Sequence, residues 1–274
     1  MGSVTAEPQT KAHEHVVQFY GEDEGRRVHE ATEYLAVALG AEGAALVVAS
    51  DPRRNAILAE LGAGLGTDLV SDGRLLLLDA EEILATFMRD GRPDPALFDL
   101  NVGERVTALA LRHGQLRAYG EMVGCLWEKR AFAAAIELER LWNRLMEQVD
   151  LDLFCGYPID VLSDEFQMPS VRAVLTAHSR LAPSLSPAFE AAMRRAMDEV
   201  LPQALPVSVL GAERTILGLR SAFPRHAEDV IARARDYASG SFASATDRQH
   251  GVDVRSEAGK ALYPKRRSEP IDNP

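Results

Sequence analysis

The sequence predicts an α/β fold, a three-layer sandwich in which a mainly parallel sheet lies between two layers of helices. Short apolar runs of strand length alternate along the chain with helical patterns of about 10 to 15 residues, which is typical of βαβ units. The run ALVVAS at residues 45–50 is a continuous apolar stretch, as expected for a strand covered on both faces. With 274 residues the chain is long enough to bury a large core without metals or disulfides.

The elements follow this alternation from about residue 15 onward. A strand over 15–20 ends at Gly21, and Asp23 stands where the N-cap of the next helix belongs. After the strand over 45–50 come a helix from 51 to about 61, a glycine-rich link over 62–67, a strand over 75–78 closed by Asp79, and a helix over 80–90. Four more elements complete the pattern. They are a helix over 95–113, a strand over 116–119, a helical region over 121–146 that is broken near 129–132, and a strand over 152–157.

The pattern weakens beyond Pro158, where the sequence predicts helices over 163–178, 187–201 and 224–238 and a strand over 206–211. The expected organisation is a flexible leader over 1–12, an α/β domain over 13–158, a helical completion of the fold over 159–238 and a disordered tail over 239–274. The tail is expected to be disordered because it lacks sustained apolar periodicity.

Charge and cysteine content restrict the classes of function. Acidic side chains number 41 and basic ones 30, and the net charge of −11 disfavours binding to nucleic acid or to an anionic membrane. A secretion signal and an apolar run of about 18 residues are both missing from the sequence, so a cytoplasmic location is expected. Cys125 and Cys155 are expected to be buried free thiols.

A phosphate-binding loop is not indicated by the turn after the strand over 45–50. This turn reads DPRRNA, without the glycines that let backbone N–H groups surround an anion and without Lys followed by Ser or Thr. The glycine-rich segment GAGLGTD follows a helix, where it is interpreted as the end of that helix and a link. The sequence therefore disfavours nucleotide hydrolysis.

Acidic residues at the ends of strands are the first candidates for a binding site, because ligands of open α/β sheets lie beyond the carboxyl ends of the strands. Asp79 is interpreted mainly as a helix cap. Glu121 follows Gly120 at the end of the strand over 116–119 and begins an apolar helix. Function and helix capping both remain open for Glu121.

A second candidate group lies on the helix that ends near residue 146. Glu139 and Asn143 are four residues apart on one face and adjoin Trp142. The apolar face of the helix explains most of this segment as core packing. The polar pair is either exposed to solvent or lines a pocket that contains the aromatic ring.

Histidines offer weaker signals. His178 ends a helix, where it is either a C-terminal cap or a pocket residue. His13 and His15 have the spacing to chelate a metal beside Glu14, but no third ligand has a matching local context, so no metal site is expected. Motifs of nucleophilic catalysis, including Gly-x-Ser-x-Gly, are not found, and no catalytic residue is expected.

Several segments in order resemble the MEDS family, a sensory domain of methanogens and methylotrophs that also occurs in the repressor of dichloromethane dehalogenase. They are HVVQFYGEDEG, LGAEGAALVVAS, GRLLLLDAEEILATFMRDGRPDPALF, LRAYGEMVGCLWEKRAFAAAIELERLWNRL and FCGYP. The resemblance covers about residues 13–158, and HSRLAP at 178–183 is similar to a later element of the same domain. The most specific parts are RAYGEM at 117–122 and LERLWN at 138–143.

The resemblance implies a degenerate RecA-like sheet, related to circadian-clock ATPase domains, that has lost its phosphate-binding loop. It also implies a non-catalytic sensor of small, often hydrocarbon-derived molecules, usually coupled to a helix-turn-helix or a kinase domain, neither of which is recognised over 167–274. A cofactor is not expected. The ligand is expected near the residues Tyr20, Asp23, Tyr119, Glu121, Glu139, Trp142, Asn143 and His178.

Two other functions remain open. One is a transcriptional repressor that binds DNA through its C-terminal region, with Lys265, Arg266 and Arg267 contacting phosphate. The other is a RecA-like protein that still binds a nucleotide. The sensor interpretation implies a small organic ligand and a signalling or regulatory protein as partners, with self-association left open, DNA disfavoured and no membrane.

Overall fold

A parallel sheet of six strands lies at the centre of the protein. The computed structural model describes residues 13–21, 24–65, 68–201 and 212–239, with the backbone alone for 212–214. The strands are β1 (His15–Phe19), β2 (Ala44–Ala49), β3 (Leu75–Asp79), β4 (Met88–Arg89), β5 (Arg92–Pro93), β6 (Leu116–Gly120), β7 (Leu151–Tyr157) and β8 (Arg180–Leu181). The order across the sheet is β3-β2-β6-β7-β1-β8 with every neighbouring pair parallel, whereas β4 and β5 form a separate antiparallel hairpin.

Helices connect the strands and continue beyond β8. They are α1 (Glu24–Gly40), α2 (Asp51–Leu65), α3 (Ala80–Phe87), α4 (Pro95–Phe98), α5 (Glu104–His113), α6 (Met122–Glu128), α7 (Phe132–Met146), α8 (Pro169–Ala177), α9 (Pro187–Val200), α10 (Ala212–Ala222) and α11 (Ala227–Ala238). A π-helical segment, Asp99–Gly103, joins α4 to α5, and a 3-10 turn, Asp164–Gln167, precedes α8. Among the described residues, no helix combines the length and the apolar character that crossing a membrane requires.

Both faces of the sheet are covered, which confirms the predicted three-layer sandwich. On one face α1 and α2 pack against alternate strand residues such as Val47 and Phe154. On the other face the remaining helices pack against Leu46, Ala118 and Leu153. Every residue of β2 and β7 is buried, as expected for central strands of a parallel sheet.

Trp142 of α7 lies in the larger of these cores and is 1% exposed. Its ring meets Phe98 in an edge-to-face arrangement with the ring centroids 5.3 Å apart, and Phe98 meets Phe87 in the same way at 5.4 Å. Apolar contact therefore accounts for the position of Trp142 on its helix.

Several predicted boundaries were wrong. The helix predicted to end near 61 continues to Leu65, so the glycines at 62 and 64 lie inside α2 and not in a link. The helix predicted over 163–178 is interrupted, because Pro169 begins α8 as a new first turn. The helix predicted over 80–90 ends at Phe87 in the β4–β5 hairpin.

Two elements were not predicted. The strand β8 has only two residues, too few for a periodic pattern, and α10 was not recognised in the weak signals beyond Pro158. Four predictions lie outside the described residues: the leader over 1–12, Asp23 as an N-cap, the strand over 206–211 and the tail from 240 with its basic cluster.

Helices α9 and α11 pack against each other and join the larger core through Met193, Ala196, Val230 and Ile231. Arg220 of α10 is buried and donates hydrogen bonds to the carbonyl oxygens of Leu162 and Ser163, at 2.9 and 2.8 Å. Through these hydrogen bonds, Arg220 holds α10 against the segment that follows β7.

Candidate functional site

The connections of two neighbouring strands open a crevice at the carboxyl edge of the sheet. After β2 the chain enters α2 on one face, and after β6 it enters α6 on the other face. Adjacent strands whose connections leave in opposite directions form the switch point at which open α/β sheets receive their ligands. The backbone N–H of Glu121 donates to the carbonyl of Val48 at 2.9 Å, so this carboxylate stands directly beside the end of β2.

Glu121 is the buried centre of this edge, and its side chain is 4% exposed. The Tyr119 hydroxyl donates to its Oε1 at 2.7 Å. Arg53, from the first turn of α2, pairs with its Oε2 and also contacts Glu24 of α1 at 3.0 Å. Arg53 thus links the two helices of one layer to a carboxylate at the end of β6.

A second arginine reaches the same carboxylate from α1. The Nε of Arg27 lies 3.9 Å from Glu121 Oε1 and has no hydrogen-bond partner among the described residues. The Arg27 guanidinium stacks over the ring of Tyr20, 3.7 Å from the ring centroid. A Cβ at Gly156 would lie 3.2 Å from the ring of Tyr20 and 3.2 Å from the hydroxyl oxygen of Tyr119, so glycine leaves the space that the two tyrosines occupy.

The crevice opens to solvent as a cleft of about 700 Å³. Its wall combines the apolar side chains of Val28, Pro52 and Ala56 with polar and charged groups, which are those of Ser50, Arg53, Glu24 and Glu60. A wall that joins apolar surface to convergent polar groups is characteristic of binding sites for small molecules.

Burial sets the protonation of the groups at the base of the crevice. It raises the pKa of Glu121 above its ordinary value, although Arg53 and the Tyr119 hydroxyl oppose the shift. Burial and the charge of Glu121 raise the pKa of Tyr119 well above its usual range, so this hydroxyl stays protonated and donates. The site offers a carboxylate that accepts hydrogen bonds beside two guanidinium groups that donate them.

The predicted residues on α7 lie elsewhere, in a second buried cluster on the opposite face of the sheet. Glu139 is fully buried, with Oε2 3.3 Å from His15 Nε2 and Oε1 3.4 Å from His178 Nε2. The Tyr157 hydroxyl donates to Glu139 Oε1 at 2.6 Å. Asn143 contacts His15 Nδ1 through its Oδ1 at 2.9 Å. The structure therefore divides the predicted residues between two places.

Burial also governs protonation in this second cluster. It lowers the pKa of His178 to about 4, so its imidazole is neutral near pH 7. Burial opposes the charge of Glu139, whereas the hydrogen bond donated by the Tyr157 hydroxyl favours it. Burial and the charge of Glu139 raise the pKa of the Cys155 thiol well above its usual range.

The predicted site residues thus have four outcomes. Tyr20, Tyr119 and Glu121 come together at the crevice, and Glu139, Asn143 and His178 come together in the second cluster. Trp142 packs in the core, and Asp23 lies outside the described residues. His178 does cap α8 as one of its two interpretations predicted, because its Nδ1 donates to the carbonyl of Val174 at 2.7 Å.

Sequence reasoning missed both arginines of the crevice. Arg53 was considered only as part of a segment that lacks phosphate-binding glycines, although its position one turn after β2 already placed it at the carboxyl edge. Helix α2 starts at Asp51, so the segment DPRRNA is helical and leaves no loop to surround a phosphate. Asp79, in contrast, caps α3 as predicted, accepting from the N–H groups of residues 81 and 82.

The topology and the crevice define the class: a three-layer α/β domain with a charged, partly apolar crevice at a switch point of its sheet. The chain belongs to the MEDS family, because the model of this family, described as the methanogen/methylotroph, DcmR sensory domain, matches residues 14–179. The match confirms the resemblance found in the sequence, and it also covers the residues between 158 and 178. In a search of curated proteins, none matched the chain.

Proposed function

We propose that this protein is a non-catalytic sensor that binds a small organic molecule in the crevice at the carboxyl edge and passes its state to a regulatory protein. The observation that carries the proposal is the buried Glu121, whose partner Arg53 separates it from the open cleft. Membership of a sensory family supports the role of sensor.

The wall of the crevice indicates the chemistry of the ligand. Val28, Pro52 and Ala56 offer space for a short apolar body. Glu121 accepts a hydrogen bond from a hydroxyl or amine, and Arg53 donates to an oxygen. We therefore expect an organic molecule with a short hydrocarbon part and one polar end, oriented with that end toward Glu121.

The arginine also provides a route for the signal. Arg53 contacts Glu24 on α1 and Glu121 after β6 at the same time. A ligand that binds Glu121 or Glu24 in place of Arg53 changes the relative stability of two arrangements of the Arg53 side chain. A regulatory protein that binds one of these arrangements more tightly then responds to the ligand. The surface formed by α1 and α2 beside the cleft is where we expect that partner.

The proposal is tested by calorimetric titration of the full chain with short alcohols, amines and carboxylates, after a first selection by thermal shift. We expect binding heat for at least one class, with a large loss of affinity in Glu121→Gln and Arg53→Met. Glu137→Gln is the matched control, because Glu137 pairs with Arg92 far from the crevice.

Unchanged heats in Glu121→Gln would place the ligand elsewhere and remove the proposed site. Mass spectrometry of small molecules released from the freshly purified protein gives an independent reading. A released compound that rebinds to the unaltered chain and to Glu137→Gln, but not to Glu121→Gln, would support the proposal.

A further inference from the structure

The second buried cluster brings together four side chains with metal-ligating atoms. They are His15 on β1, Glu139 on α7, Cys155 on β7 and His178 at the end of α8, and one such atom from each lies within 4.8 Å of those of the others. Sequence reasoning found no third ligand for His15, because its three neighbours come from distant parts of the chain. Among the described residues, this is the group of at least three His, Cys, Asp or Glu side chains placed to hold a metal ion.

The hydrogen bonds of His178 determine where its proton lies. Its Nδ1 is 2.7 Å from the carbonyl oxygen of Val174, which can only accept, so Nδ1 carries the hydrogen. In the neutral ring Nε2 then presents a lone pair. This atom is buried, has no hydrogen-bond partner among the described residues and lies 3.4 Å from the carboxylate of Glu139, with the side chain 1% exposed.

The same reasoning applies to His15. Asn143 donates through Nδ2 to the carbonyl of Ala177 at 3.1 Å, which fixes Oδ1 as the atom that faces His15. His15 Nδ1 therefore donates to Oδ1, and in the neutral ring Nε2 presents a second lone pair. That lone pair faces Cys155 Sγ at 3.4 Å and Glu139 Oε2 at 3.3 Å.

Four electron-rich atoms thus point at one another in the buried interior. The Cys155 thiol has a single hydrogen to share, toward His15 or toward Glu139 Oε2 at 3.8 Å. A buried set of acceptors without enough donors is costly, and a cation at its centre removes the cost. We propose that His15, Glu139, Cys155 and His178 bind one Zn²⁺ ion.

The spacing of three of the four ligand atoms, those of His15, Glu139 and Cys155, is close to that of a tetrahedral zinc site, and all four lie within 4.8 Å of one another. Bond lengths of about 2.0–2.1 Å to nitrogen or oxygen and about 2.3 Å to sulfur place tetrahedral ligand atoms about 3.3–3.6 Å apart. The nitrogen of His15 lies 3.3 Å from the carboxylate and 3.4 Å from the sulfur, and the sulfur lies 3.8 Å from the carboxylate. Small shifts of the side chains close the site around an ion.

Charge and ligand type favour zinc over magnesium or calcium. One thiolate and one carboxylate neutralise a divalent ion, so the filled site buries no net charge. Sulfur and imidazole are ligands of zinc and other transition metals, whereas magnesium and calcium prefer oxygen alone.

The surroundings have the features of an outer coordination shell. Each histidine donates its second nitrogen, to Val174 or to Asn143, which orients the ring toward the centre. The Tyr157 hydroxyl holds the other oxygen of Glu139 at 2.6 Å. A small cleft of about 120 Å³, whose lining includes His178, Ser179 and Leu217, lies against the cluster on the side of His178.

The test uses the full chain purified without a polyhistidine tag, stripped with a chelator and titrated with Co²⁺ as a spectroscopic probe. We expect one Co²⁺ per chain, visible bands of tetrahedral cobalt and a near-ultraviolet thiolate-to-cobalt band, all abolished by excess Zn²⁺. Cys155→Ser should lose the thiolate band, and Asn143→Ala should weaken Zn²⁺ binding by about 10–100-fold.

Cys125→Ser is the matched control, because Cys125 is half-buried and lies outside the cluster. It should keep the complete spectrum. Absence of a thiolate band in the unaltered chain would overturn the proposal, whether or not the variants fold. A band that persists in folded Cys155→Ser or disappears in Cys125→Ser would also overturn it.

Discussion

Removing Arg53 tests the electrostatic account of the crevice. The substitution Arg53→Met keeps the aliphatic stem and deletes the guanidinium that pairs with Glu121. The Glu121 side chain is 4% exposed and that of Arg53 is 17% exposed, so the variant leaves a carboxylate buried without its closest partner. Breaking a buried ion pair from one side costs about 3–5 kcal/mol.

Two features of the crevice reduce this cost. Arg27 remains 3.9 Å from Glu121, and the Tyr119 hydroxyl still donates to Oε1. Arg53 is also partly exposed, which weakens the lost attraction through solvent screening. We therefore expect the free energy of unfolding to fall by about 2–3 kcal/mol at neutral pH.

The loss should depend on pH with a definite sign. Burial already raises the pKa of Glu121, and loss of the neighbouring Arg53 charge raises it further. The folded variant then binds the proton more tightly than the unfolded chain does, so its stability falls as pH rises above the ordinary range of a glutamate. The destabilisation should be largest near neutral pH and should shrink as the pH falls and Glu121 becomes protonated.

Equilibrium unfolding in urea at about pH 7.5 and about pH 5.5 measures both effects. The double variant Arg53→Met/Glu121→Gln removes the unpaired charge and should regain most of the stability, so the double-mutant cycle should give a coupling of about 1–3 kcal/mol. Equal destabilisation at the two pH values, or strictly additive single variants, would refute the reasoning.

Three further predictions concern contacts that stabilise the fold. Trp142→Ala should reduce stability by about 3–5 kcal/mol in urea unfolding while leaving ligand heats unchanged in the folded fraction, because Trp142 packs against Phe98 in the core; a ligand defect at unaltered stability would contradict this. Gly124→Ala should lower the free energy of unfolding by about 1–3 kcal/mol, because the new Cβ would stand 2.9 Å from the carbonyl oxygen of Gly156. A Cβ at Gly120 meets nothing within 4 Å, so Gly120→Ala should be tolerated. Thermal unfolding compares the two variants. Arg220→Met should remove the hydrogen bonds to the carbonyls of Leu162 and Ser163 and therefore speed hydrogen exchange in α10 and α11. Arg233→Ala, at an exposed position, is the control. Unchanged exchange in Arg220→Met would show that Arg220 does not stabilise the packing of these helices.

Local patterns predicted much of the fold, because strands and helices leave their periodicity in neighbouring residues. The apolar runs at 45–50 and 152–157 correspond to β2 and β7, and Asp79 caps α3 as its position indicated. Predictions failed where the determining contact was distant or the element was short. Two residues of β8 pair with β1, and no local pattern could have revealed this.

The sequence by itself determined the α/β class, the placement of Glu121 at the end of a strand and the polar pair Glu139 and Asn143 on an apolar helix. Only the tertiary structure decided which side chains meet. Parallel strands need long crossovers, so residues adjacent in the sheet are distant in the chain. The contact of Arg53 with Glu121 joins distant parts of the chain, as do the contacts of Glu139 with His15, Cys155 and His178. The packing of the sheet and the helix layers determines these contacts, and the spacing along any one element does not.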